Sequence, residues 1–169
     1  ANFKTDVHRY LGVHKQVYHS LEVHVVSNVV IATSALFVLA YLGHMVGDFL
    51  LQSTWMALTK SQKGLLGMWA CTVHVTLYTS AVVLMLWLGG GTIATMVVVA
   101  IFIPHWVIDR WSLGEKWLRM TRSRNRNRIE KTSGLMREYA FAFYAPVYIS
   151  VDNTLHFLCL WATIRYLMV

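Results

Sequence analysis

An all-α polytopic membrane protein, with four transmembrane helices in a bundle behind an amphipathic N-terminal helix, is the fold class the sequence predicts. Three observations lead there. Residues of the set AVILMFWYC make up 56% of the 169 residues and charged residues only 14%, against about 25% charged in a soluble domain. The apolar residues gather in four runs, at 29–50, 65–88, 92–108 and a last one ending at residue 168. Nine of the 15 Lys and Arg fall between Arg110 and Arg137, so the net charge of +7 is local rather than general. Disordered, collagen-like and ordinary soluble chains are excluded by the same composition. The length fits one domain. Cys71 and Cys159 lie inside apolar runs and act there as small hydrophobes, so no disulfide framework is implied.

The first element is residues 1–27. Val7, Tyr10, Leu11, His14, Val17, Tyr18, Leu21 and Val25 recur at helical spacing, with Lys4, Arg9, Lys15, Gln16 and Ser20 on much of the other face. This reads as an amphipathic helix lying on a membrane or a partner. It does not read as a signal peptide, because the apolar run after it is too long and no small-residue cleavage site follows. Residues 28–169 then form the transmembrane domain. Each run has about 17 to 24 residues, the last one starting at Tyr139 or near Pro146. That length crosses a hydrocarbon core of ~30 Å as a helix. Helix is preferred to strand because a spanning segment satisfies its own backbone hydrogen bonds.

Gly89-Gly90-Gly91 leaves room only for a tight antiparallel hairpin between the second and third runs. The long connection, 110–138, is strongly basic and is placed on the cytoplasmic side. Lys60 and Lys63 then also fall inside, and the glycine turn and both termini outside. Arg122, Arg124, Arg126 and Arg128 alternate with Ser123, Asn125 and Asn127, behind Trp111, Leu113, Trp117 and Leu118. The aromatics suit an interface and the arginines suit anionic lipid or an acidic partner. Nucleic-acid binding is disfavoured because no nucleic-acid fold surrounds so short a motif.

Three of the four aspartates, Asp48, Asp109 and Asp152, lie in or at the end of the apolar runs. Each costs about 2.5–3.5 kcal/mol at a bilayer centre, so a compensating role is expected. Each has a histidine four residues away, giving His44–Asp48, His105–Asp109 and Asp152–His156, and the remaining run supplies His74. Groups at i and i+4 share one helix face. With the topology above, all seven reach the cytoplasmic half of one bundle. Imidazole with carboxylate suits zinc first, then iron or manganese, as one or two ions. His74, His105 and His156 lead as ligands, followed by His44 and Asp109, with Asp48 or Asp152 as general base or bridging ligand. The alternative is a set of buried hydrogen-bonded pairs tying helices together. Gln52 either caps the first span or binds a substrate oxygen.

The stretch Gly43-His44-Met45-Val46-Gly47-Asp48-Phe49-Leu50-Leu51-Gln52, with Trp55-Met56-Ala57 and Lys60 after it, resembles the opening of a family of small bacterial and phage inner-membrane proteins, domain of unknown function 3307. The family pattern has a His-x-x-x-Asp-x-x-Leu-Gln opening, a lone His, a His-x-x-x-Asp and an Asp-Gln pair followed by a His. These fall on His44, Asp48, Leu51, Gln52, His74, His105, Asp109, Asp152 and His156, with Asn153 where the pattern has Gln. The similarity covers about residues 36 to 168. It implies a membrane location and supplies no activity. The site chemistry suggests a metal-dependent hydrolase acting on an anionic, amphipathic, lipid phosphoester-like substrate. The rival readings are a non-catalytic subunit of a larger membrane complex and a proton or ion pathway.

Overall fold

A computed structural model describes residues 3–122, 131 and 133–169, without the side chains of 3–18, 20 and 122. Arg124, Arg126 and Arg128 therefore lie outside the described residues, as does the side chain of Arg122. The elements are α1 (Phe3–Met45), a π-helical turn (Val46–Leu50), α2 (Thr54–Thr59), α3 (Leu65–Leu88), α4 (Thr95–Arg110), α5 (Leu113–Arg122) and α6 (Leu135–Leu167). The protein is all-helical among the described residues.

Four long helices close into a ring. α1 packs on α3 and α6, α3 on α4, and α4 on α6. The bundle core is Ala40 of α1, Tyr78, Val82 and Leu86 of α3, Val97 and Ile101 of α4, and Leu160 and Ile164 of α6. α3 has the bounds that its apolar run predicts. Gly64 (φ +88°) precedes it and Gly89 follows it. The hairpin between α3 and α4 is as tight as expected: Gly90 has φ +79° and the Gly91 amide donates to the Leu86 carbonyl at 2.9 Å.

Three features differ from expectation. α1 continues through residues 27 and 28 without a break, so the amphipathic segment and the first apolar run share one helix of 43 residues. No proline lies in that stretch to interrupt it. α6 begins at Leu135 and passes through Pro146, which is not its start. Its missing N–H removes one backbone bond, which a long, packed helix tolerates. The basic connection contains α5, bent 56° from α4. α5 buries Leu118 against α6 and exposes Trp117 and Met120.

Two segments, Leu21–Leu50 and Leu65–Leu88, are long and apolar enough to cross a membrane, and the bent pair α4–α5 makes a third if it counts as one span. α6 has the length but less apolarity, because Asp152, Asn153 and His156 interrupt it. Four spans are thus not all supported alike.

α1 and the π-turn after it approach α3 closely. A Cβ on Gly43 would stand 2.6 Å from Val82 Cα, and one on Gly47 2.9 Å from Tyr78 Cα. Small residues four apart let two backbones touch, and this contact brings the end of α1 against His74. Gly43→Leu is expected to force α1 off α3 and to destabilise by about 1–3 kcal/mol, as overpacking does. A lowered thermal midpoint in detergent, beside an unchanged one for Ser34→Ala on the exposed face, checks it.

Candidate metal centre

The site forms where four helices bring polar groups to one level. Asp48 comes from the π-helical turn that ends α1, closed by the Leu51 amide donating to the Val46 carbonyl at 2.9 Å. Such single π-turns recur at functional sites. His74 comes from the first half of α3, His105 and Asp109 from the last two turns of α4, and His156 from the middle of α6. His74, His105, Asp109 and His156 are all buried, and the Asp48 side chain is 11% exposed.

His74 is the centre of the arrangement. Its Nε2 lies 3.0 Å from Asp109 Oδ2, 3.2 Å from Asp48 Oδ1 and 3.2 Å from His105 Nε2. His105 Nε2 lies 3.3 Å from the same Asp109 oxygen and 3.5 Å from the same Asp48 oxygen. A tetrahedron with zinc-type arms of 2.0–2.1 Å has edges of about 3.3 Å. All five separations fall within a few tenths of that value. Two triads have ligand atoms within 4.8 Å of one another: Asp48–His74–His105 and His105–Asp109–His156. The buried His/Asp cluster could therefore hold a metal ion. The ion's identity is not fixed by these distances.

The bonding around the cluster agrees with that fit. Asp48 Oδ1, His105 Nδ1 and His156 Nε2 are buried and make no hydrogen bond among the described residues. Buried polar atoms are normally satisfied, and the free lone pairs of Asp48 Oδ1 and His156 Nε2 suit a cation. The outer contacts set ring orientations, as they do around metal ligands. The Tyr78 ring stacks on His105 with centroids 3.6 Å apart. His156 Nδ1 donates to its own helix, to the Asp152 carbonyl at 2.9 Å, which turns Nε2 toward Asp109 Oδ1 at 3.9 Å.

Two of the seven sequence-derived ligands stand beside the cluster. His44 is fully buried, but its Nδ1 lies 3.2 Å from the Tyr78 hydroxyl and its Nε2 2.9 Å from Asn153 Oδ1. Both nitrogens are engaged, and its own-helix partner Asp48 is 3.5 Å away. Asp152 turns its carboxylate, 3.7 Å from His156 Nδ1, into a pocket of about 170 Å³ that Asp48 also lines. Asp152 belongs to neither triad.

Residue spacing did not give the contacts of four participants. Lys60, read only as a topology charge, donates from Nζ to Asp109 Oδ2 at 2.8 Å. Burial opposes its charge, but the carboxylate of Asp109, helped by Asp48 and Asp152, outweighs this and raises its pKa above the usual lysine value. Gln52, expected to cap the first span or bind a substrate oxygen, lies past the helix, which ends at the π-turn. Its amide nitrogen instead reaches His74, 3.1 and 3.2 Å from the two ring nitrogens. Tyr78 is four residues after His74, a spacing that could have marked it. Asn153 takes the acceptor role toward His44 at the position where the family pattern has Gln.

No curated protein and no solved structure matches the chain. The model of a protein family of unknown function, DUF3307, matches residues 36–169. That span covers α1 from its last quarter onward, every cluster residue and the whole of α6. The chain belongs to the DUF3307 family.

Proposed function

We propose that this is an integral membrane protein of the bacterial inner membrane that binds a transition metal, zinc first with iron or manganese as alternatives, and uses it as a hydrolase on an anionic amphipathic, lipid phosphoester-like substrate. The observation that carries the reading is the convergence of Asp48 Oδ1, His74 Nε2, His105 Nε2 and Asp109 Oδ2, with five of their separations between 3.0 and 3.5 Å, beside an open pocket. His105 belongs to both triads, which favours a single shared ion over two. A bound divalent ion lowers the pKa of its water toward 7. Asp152 faces the same pocket without belonging to either triad, so it is free to act as general base. Membrane lipids, met by the basic connection and the exposed Trp111 and Trp117, are the partners this reading implies.

A second reading has one observation in its favour. The Lys60–Asp109 ion pair already neutralises one carboxylate, as a structural pair would. The protein would then be a non-catalytic subunit held by buried polar contacts.

Metal content separates the two. Purified wild type is expected to carry about one equivalent of metal by elemental analysis. His105→Ala is expected to lose most of it, and His44→Gln to keep it. Asp152→Asn should retain the ion and lose roughly 10²–10⁴-fold in turnover of a phosphoester lipid, the usual worth of a general base. Wild type free of metal, or equal metal in His105→Ala, rejects the hydrolase reading.

Orientation is tested separately. α4 separates Thr92 from Lys116 by a rise of ~24 Å for its 16 residues. Single cysteines at these exposed positions, in a background lacking Cys71 and Cys159, are expected to react from opposite sides of sealed vesicles, Lys116→Cys from the cytoplasmic side. Reaction of both from one side contradicts α4 as a crossing element.

A further inference from the structure

Lys60 has more hydrogen-bonding capacity than the cluster uses. Its side chain is 15% exposed, and Asp109 Oδ2 is its one hydrogen-bond acceptor among the described residues. An ammonium has three donors, so two remain, and the residue lines the pocket with Gln52 and Asp152. A half-buried cation with spare donors, beside an ion site and at the wall of a cavity, is an anion-binding arrangement.

We propose that this pocket is a subsite for one phosphate-type oxyanion, held between the metal-binding cluster and Lys60, with Gln52 as a second donor. The proposal rests on the metal reading above and names the group that the substrate presents to it. The cavity of about 170 Å³ is several times what one water needs. It has room for a phosphate group. The donor set agrees. Lys60 offers a full charge as a point donor. Gln52 offers an amide N–H beyond the one facing His74. Asp48 and Asp109 are neutralised from the inside by the ion. Asp152, the remaining carboxylate on the wall, accepts from a P–OH or from the attacking water, so the pocket receives a protonated phosphate without a like-charge clash.

The test uses the full chain in phosphatidylcholine nanodiscs, loaded with cobalt(II), whose visible absorption reports its ligand field. Inorganic phosphate and dihexanoyl phosphatidate are titrated as separate probes. Wild type is expected to give a saturable change with at least one of them. Lys60→Met is expected to weaken that binding by about tenfold or more, the worth of a charge-assisted hydrogen bond, with cobalt content unchanged. Lys60→Arg should stay close to wild type, and Gln52→Ala should weaken binding severalfold. Clear preference for the phosphatidate assigns the anion to a lipid headgroup, and equal binding assigns it to the free ion. Lys60→Met and Gln52→Ala both binding like wild type, with cobalt retained, overturns the subsite and leaves the metal site standing. Wild type that takes up cobalt but responds to neither probe also overturns the subsite. Wild type that takes up no cobalt overturns both.

Discussion

Asp109 is the group on which the arrangement turns. Its side chain is 2% exposed at the end of α4, where an unpaired carboxylate costs several kcal/mol in an apolar setting. Everything within reach answers that charge. Lys60 arrives from the connection between α2 and α3 at 2.8 Å, His74 from α3 at 3.0 Å and His105 from its own helix at 3.3 Å. α3 and α4 must then stand in one register, because a slip of one turn would move a partner by ~5.4 Å and leave the charge buried alone. The tight turn between α3 and α4 is the backbone condition for that register.

The ring of helices and the level of the site were legible in the residues, for specific reasons. α3 is bounded by glycines and holds no Asp, Glu, Lys or Arg, so length and punctuation agree. Gly89–Gly91 is too short for any connection but a hairpin. His44, Asp48, His105, Asp109, Asp152 and His156 fell into pairs because i and i+4 share a helix face. That logic speaks only of contacts within one helix. It left His74 without a pair and, though His74 was named among the leading ligands, gave no sign of its central place, since the shortest imidazole–carboxylate distances join different helices. It also gave His44 a ligand's role. Whether an imidazole is free to bind depends on neighbours from other helices, here Tyr78 and Asn153.

Loops and helix ends were less legible. Lys60 sits after α2 in a short connection whose path no periodicity describes, so its reach to Asp109 had no signal. The run of α1 through residues 27–28 and of α6 through Pro146 shows the limit of local punctuation. A change from polar to apolar faces is not a helix end, and one proline inside a packed helix of 33 residues is not a start. The π-turn at Asp48 belongs to the same class, since it depends on the helix ending against α3.

The division of labour in the site follows from the contacts. Five side chains form two triads that share His105, Tyr78 and Asn153 hold the rings and His44, and Lys60, Gln52 and Asp152 face the adjoining pocket. The central claim is that this cluster holds one ion. X-ray absorption on metal-loaded protein tests it most directly. A first shell of nitrogen and oxygen at ~2.0–2.1 Å, with outer-shell scattering from at least two imidazoles, is the expected result. A shell of oxygens without imidazole scattering, or a sulfur ligand at ~2.3 Å, would contradict it.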